Sequence, residues 1–316
     1  MLVDVLAASI FVLTGSIVHG VILGGDINII LQLSKGFLVT IFFIPAASLL
    51  SRTEFIKIAI LVLLLLIVKS VLNVGLIIFF INGLISEGLV LSFFGDMRQN
   101  FRFFDGEIGK IYEKGLVYIP LLLIFRPRLQ FMLLLVFVPI VYLSFTVSFW
   151  ATLILTSLVF LNNISRKLFW LIVMFSLPLA GRLLTIIQTE KMYSISVKMG
   201  QFKSFGTDFL VGGNGLGVTG LNSYLGGNVF IENSFLNLGL WFGVIGLAFS
   251  VVFAGLVVMA IAYAFMSGPS NNCAKAYTTL FISVTINSLS NAYLFSSSIL
   301  CALLLCWFFM TKDQKC

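Results

Sequence analysis

Charge is what this chain has least of: 10% of its 316 residues are Asp, Glu, Lys or Arg, too few to solvate a separate soluble domain. One histidine, His19, excludes a multi-histidine metal site. The four cysteines, Cys273, Cys301, Cys306 and Cys316, show no C-x-x-C or other metal or redox spacing, so they point to packing. Acidic side chains number 12 against 19 basic ones, and no Asp/His/Cys cluster suggests a bound metal or nucleotide cofactor.

Apolar residues fill the space that charge leaves. They make up 60% of the chain, 33 of them phenylalanine, and the mean hydropathy is +1.13. That composition defines a polytopic membrane protein, all-α, which we read as a single membrane domain over 1–316. Stretches long enough to cross a bilayer core of about 30 Å occur at 3–23, 29–50, 57–80, 108–125, 129–146, 148–164, 168–184, 233–264, 275–293 and 294–310. They predict about ten transmembrane helices. The run 129–164 is split near Ser144 to Phe149, and 81–94 reads as interfacial or as a further span. The first segment carries Asp4 and no basic leader, so it reads as an anchor and not as a cleaved signal.

The net charge of +7 follows the membrane and does not indicate nucleic acid. Arg52 and Lys57, Arg126 and Arg128, Arg166 and Lys167, Lys275, Lys312 and Lys315 mark alternate connections, which the positive-inside rule assigns to the cytoplasm. Two longer segments then share the external face: 95–114, "GDMRQNFRFFDGEIGKIYEK", and 181–232. Non-helical chain gathered on one face is where such a protein works. Within the bilayer, Lys35, Lys69 and Glu87 need partners or a watery cavity. Lys69, mid-span, could hold a diphosphate or pair with a carboxylate; snorkelling or a shifted boundary accounts for the other two.

The long loop has two halves. If "GRLLTIIQTEKMYSISVKMGQFKSF" is helical, Gln188, Lys191, Lys198 and Gln201 fall near one stripe, opposite Ile187, Met192, Ile195 and Val197. Such a segment lies on the bilayer, covers a cavity, or meets lipid headgroups as a solvated amphipathic helix. The second half is glycine-rich, and amides around Gly213, Gly215 and Gly217 could form an anion-binding nest. "GNGLG" superficially resembles a dinucleotide fingerprint but lacks the flanking βαβ unit. A flexible connector is the plain alternative. At the loop's end Glu232, Asn233 and Ser234 precede an apolar helix, where they serve as a cap or help hold an anion.

The series of Arg182, Lys198, "GNGLG" and "ENSFLNLGLWFGVIGL" resembles the signature of bacterial O-antigen polymerases of the Wzy type, in the superfamily of the O-antigen ligases. The resemblance is topological over most of the chain and motif-level from Arg182 to Leu247. It implies a GT-C-like membrane glycosyltransferase of the inner membrane with a large periplasmic loop at 181–232. It also implies undecaprenyl-diphosphate-linked glycan as donor and acceptor, no cofactor, and a chain-length regulator as a further partner. On that reading Arg182 and Lys198 clamp the leaving diphosphate and Glu232 is the general base, with Asp208 as second choice. Lys191, Gln201, Gly213, Gly215, Gly217, Asn233, Arg98 and Arg102 would bind substrate. Three positions depart from the pattern: Glu232 stands where ligases commonly have His, Lys198 where the family usually has Arg, and Ser148-Phe149 where a Ser-Arg pair is common. A ligase and a lipid-linked-sugar flippase are the rival readings.

Overall fold

The computed structural model describes residues 2–25, 27–28, 30–31, 33–38, 49–86, 101–104, 108–111, 114–144, 147–167, 170, 211–216, 220–222, 227–229, 234–266, 272–290 and 306. Among the described residues the α-helices are α1 Leu2–Ile22, α2 Arg52–Ile81, α3 Pro127–Ser144, α4 Val147–Ile164, α5 Ser234–Met266 and α6 Asn272–Ser290. Described residues between 27 and 38 are helical as well. Most lie where apolar stretches anticipated spans, and the split of 129–164 falls between α3 and α4. Two antiparallel ribbons interrupt the helical pattern, β1 Phe101–Phe104 with β2 Ile108–Ile111, and β3 Gly220–Asn222 with β4 Gly227–Val229. Both fall in the segments read as external loops.

The stretch 108–125 departs most from expectation. It opens as β2 and continues as a 3-10 helix, Lys114–Ile124, with Pro120 inside it. Proline has no N–H to donate, and an 11-residue 3-10 helix rises about 22 Å at ~2.0 Å per residue. It is also well enclosed: Leu116, Ile119, Leu122 and Leu123 are completely buried. Its carbonyl end is closed by Gln130, whose Nε2 donates to Leu123 O at 2.8 Å and Phe125 O at 2.5 Å.

Local sequence sets the helix ends. "SRTE" before α2 forms a capping box, Ser51 N–H donating to Glu54 Oε2 and Glu54 N–H to Ser51 Oγ. "GG" after α1 and "NGL" after α2 each close a Schellman motif, with Gly24 at φ 78° and Gly83 at φ 68°. The diagnostic bonds are Gly25 N to Gly20 O at 2.8 Å and Leu84 N to Phe79 O at 2.9 Å.

Among the described residues two helices, Thr53–Phe80 and Ser234–Met266, are long and apolar enough to cross a bilayer, and only 28% and 17% of their apolar windows are buried. The core helix of a water-soluble protein would be mostly buried. Here α2 turns Leu61, Leu65, Val68 and Leu72 outward, and α5 turns out Ile245, Val251, Val258 and Met259. Apolar surface of that extent fits a lipid-facing protein.

The chain divides into two compact units, residues 1–49, 165–261 and 287–308, and residues 50–164, 262–286 and 309–316. In the second, the 3-10 helix packs with α2, α3 and α4. Tyr277 OH donates to Phe55 O at 2.9 Å, with the two rings edge to face. In the first, Leu13, Ile30, Leu33, Leu216, Leu238, Leu240 and Trp241 form the core.

Candidate functional site

The sequence predicts one continuous helix through 233–264, and α5 is not continuous. Gly243 has φ 60°, ψ −135°, a conformation no other residue adopts comfortably. The break folds the chain back on itself. Phe235 and Phe253 lie 18 positions apart, about 27 Å along a straight helix at ~1.5 Å per residue, yet their ring centroids are 5.3 Å apart. Consistently, a Cβ on Gly246 would strike Leu238 O. Ser234–Phe242 therefore runs antiparallel along the start of the segment 244–266, as a re-entrant helical hairpin.

Burial changes at the same residue. Before Gly243, Ser234, Asn237, Leu240 and Trp241 are at most 1% exposed. After it, Val244, Ile245, Phe249 and Val251 are more than half exposed. Residues 244–266 alone rise about 34 Å at ~1.5 Å per residue, enough to cross a bilayer core.

Breaking a helix orphans backbone groups, and the glycine-rich turn satisfies them. In an unbroken helix Leu240 O would accept from Val244 N–H; instead Val244 N–H donates to Val211 O at 3.0 Å and Leu240 O accepts from Asn214 N–H at 2.7 Å. Trp241 O accepts from Gly215 N–H at 3.2 Å, and Leu216 N–H donates to Ser16 O of α1 at 2.9 Å. Residues 211–216 thus thread between α1 and the break. In a low-dielectric setting each of these groups, left unpaired, would cost several kcal/mol.

Glycine is required because the backbones touch. A Cβ on Gly213, at φ 81°, would lie 2.7 Å from Gly243 N. One on Gly215, at φ 82°, would lie 2.6 Å from Gly20 Cα, and one on Gly20 would overlap Leu216 O. Leu216 itself is completely buried in the core beside Trp241.

This geometry changes what the turn can do. The N–H groups of Asn214, Gly215 and Leu216 are committed to protein carbonyls, so these three amides cannot form the anion nest anticipated there. The roles shown for Gly213 and Gly215 are close backbone approach and support of the re-entrant hairpin. Gly20, Gly243 and Gly246, absent from the sequence-based site, complete that support. Their sequence signal was the Gly-x-x-Gly spacing at 243–246, there read only as part of a helix motif.

Of the other site residues, Arg102 lies in β1, and its Cα faces Lys110 of β2. Arg98, Arg182, Lys191, Lys198, Gln201, Gly217, Glu232 and Asn233 lie outside the described residues, as do Asp208 and Glu87. Ser234, which Glu232 and Asn233 precede in sequence, opens the re-entrant segment fully buried. Ser148 and Phe149 are buried in the first turn of α4.

Lys275 is buried. It is 1% exposed and donates to Asn163 Oδ1 at the end of α4, while Asn162 Nδ2 donates to Phe265 O at 3.0 Å. The side-chain ammonium sits at a helix C-terminus, where partial negative charge accumulates. Lys57, Arg126, Arg128, Arg166 and Lys167 are exposed. Lys35 and Lys69 are exposed too, so Lys69 is not enclosed by its own bundle.

Among the described residues no group of three or more His, Cys, Asp or Glu is placed to hold a metal ion. Compared with known proteins, the chain matches no family model, no curated protein and no solved structure.

Proposed function

We propose that the protein is an O-antigen polymerase of the inner membrane, transferring a glycan from undecaprenyl diphosphate to a newly delivered lipid-linked repeat unit at the periplasmic face. The observation that carries this reading is the re-entrant hairpin. It brings the end of a long polar loop to a buried helix start, Ser234, instead of to the rim of a plain span. A helix N-terminus with its first amides and dipole favours an anion. The residues that the motif singles out, Glu232 and Asn233, immediately precede it.

In the proposed reaction a hydroxyl of the acceptor sugar attacks the anomeric carbon of the donor. A new C–O bond forms, the C–O bond to diphosphate breaks, and the hydroxyl proton passes to Glu232. Arg182 and Lys198 hold the departing diphosphate, whose charge grows in the transition state. Lys191, Gln201 and Asn233 orient the sugars. The carrier's diphosphate bond supplies the driving force, so the reaction needs no nucleotide.

Arg182→Ala and Glu232→Gln, each expressed in a strain lacking its own copy, should leave lipopolysaccharide with a single repeat unit. Normal long-chain ladders in both would refute the assignment. The discontinuous helix at Gly243 favours a second reading, since transporters place substrate at broken helices. Deletion separates the readings: loss of a polymerase leaves single-repeat-capped lipid A, loss of a flippase leaves none, and loss of a ligase leaves none while polymer accumulates on the carrier.

A further inference from the structure

Where α1, the turn 211–216 and the break at Gly243 cross, one hydroxyl behaves unlike its neighbours. Hydroxyls in these apolar helices donate to the carbonyl four residues back, as Thr14 Oγ1 does to Ile10 O at 2.8 Å, Ser34 Oγ to Ile30 O at 2.6 Å and Ser250 Oγ to Gly246 O at 2.9 Å. Ser16 Oγ is enclosed, on a residue 8% exposed, and makes no hydrogen bond among the described residues. Leu13, Ser16 and Gly20 share one face of α1 at spacings of three and four. That face meets the turn: Leu13 packs in the core with Leu216, Ser16 O accepts from Leu216 N–H, and Gly20 abuts Gly215 and Leu216.

Ser70, Ser148 and Thr279 also carry enclosed hydroxyls of this kind, but Ser16 is set between two helix ends. α1 closes at Ile22, two residues past Gly20, and the re-entrant helix closes at Phe242, one residue past Trp241. Each end carries partial negative charge. The amides of Asn214, Gly215 and Leu216 are spent on Leu240 O, Trp241 O and Ser16 O, and each of those carbonyls keeps a second lone pair. Asn214 adds a side-chain Oδ1 enclosed by protein. The crossing thus offers oxygen acceptors beside two negative helix ends, which repels an anion and suits a cation. Discontinuous membrane helices hold cations through the same groups, carbonyls at a half-helix C-terminus. These oxygens are all neutral, so they balance one positive charge, whereas divalent ions draw on carboxylates.

We propose that the crossing binds a dehydrated monovalent metal cation, sodium or potassium, through Ser16 Oγ, Asn214 Oδ1 and the carbonyls of Leu240 and Trp241. The ion fastens the re-entrant hairpin to α1. The inference concerns this crossing and does not rest on the polymerase reading.

The test uses the full-length protein in neutral phosphatidylcholine nanodiscs, with sodium, potassium or choline chloride at fixed ionic strength. Sodium or potassium should raise the melting midpoint several degrees above its value in choline, and radioactive sodium, or rubidium in place of potassium, should bind saturably. Ser16→Ala should abolish both effects. In choline it should melt no lower than the wild type, because it removes a hydroxyl with no bond to lose. Asn214→Asp, which adds a negative charge to the set, should enlarge the increment and extend it to calcium. A wild-type midpoint indifferent to the cation overturns the proposal, and so does an increment that survives Ser16→Ala; either result assigns the hydroxyl to a bound water. A fall of Ser16→Ala in choline would give the hydroxyl a structural role and overturn the site, as would an increment unchanged in Asn214→Asp. Failure here leaves the polymerase reading to its own test, the glycan ladder of Arg182→Ala.

Discussion

Gly243→Ala decides by sign whether α5 is folded back or straight. In a straight apolar helix, replacing glycine by alanine reduces the entropy lost on folding and stabilises by about 0.5–1 kcal/mol. In the folded-back chain the substitution has two costs. Alanine at φ 60°, ψ −135° occupies a backbone region left to glycine, a strain of about 1–3 kcal/mol. Its Cβ would also overlap Val211 O and lie 2.7 Å from Val211 C, adding overpacking of about 1–3 kcal/mol. Together they destabilise by roughly 2–6 kcal/mol. Gly255→Ala is the internal control, because Gly255 lies in the same helix with nothing within 4 Å of a built Cβ. Unfolding the full-length protein from mild detergent with increasing dodecyl sulfate, followed by tryptophan fluorescence, should show Gly243→Ala strongly destabilised and Gly255→Ala neutral or stabilised. Trp241, 1% exposed beside the break, reports locally. If both variants shift in the stabilising direction, the re-entrant hairpin is wrong, and with it the support given to the proposed site.

Two further outcomes follow from buried contacts. Lys275→Met should destabilise by about 1–3 kcal/mol by leaving Asn163 without its ammonium donor, and Asn163→Leu added to it should cost less than the two single losses combined, as a double-mutant cycle would show. A thiol at Val211, which is 75% exposed, should react with an impermeant maleimide from the periplasmic side of intact cells, whereas one at Gly215, packed on Gly20, should not; protection of the Val211 thiol would reverse the proposed orientation.

How much was legible in sequence depended on which local rule dominated. The capping box at Ser51 and the glycines after α1 and α2 obey short-range chemistry, and the helices end where those residues stand. The division near residue 145 followed from polar residues in an apolar run. The break at Gly243 left no such trace. Both arms of α5 are apolar on nearly every side, so no amphipathic period marks where one stops facing lipid and begins facing protein. Glycine occurs at 239, 243, 246 and 255, and only tertiary contact separates 243 from the rest. The 3-10 helix at Lys114–Ile124 was hidden for a related reason: hydropathy measures how apolar a segment is and is blind to the hydrogen-bond step that Pro120 perturbs.

Lys275 has a clear sequence signal, to which the structure adds where the side chain lies. The positive-inside rule concerns the side of the membrane on which a lysine's connection lies, and Lys275 lies 1% exposed against the last turn of α4. The rule describes where charge accumulates during insertion, and a charge once placed can still be drawn inward if helix ends offer it oxygen.

The glycine-rich turn joins these strands of evidence. Among its amides, which could have formed an anion nest, Asn214 and Gly215 instead take the two carbonyls that the break at Gly243 leaves open. The turn is nonetheless coupled to function in the proposed scheme, because the re-entrant segment begins at Ser234 and cannot fold back unless those carbonyls are paired. A substitution that opens the crossing, such as Gly215→Ala, should therefore lower both stability and polymer length. A loss of the ladder with Arg182→Ala should come without loss of stability. That difference separates residues that hold the site together from residues that act in it.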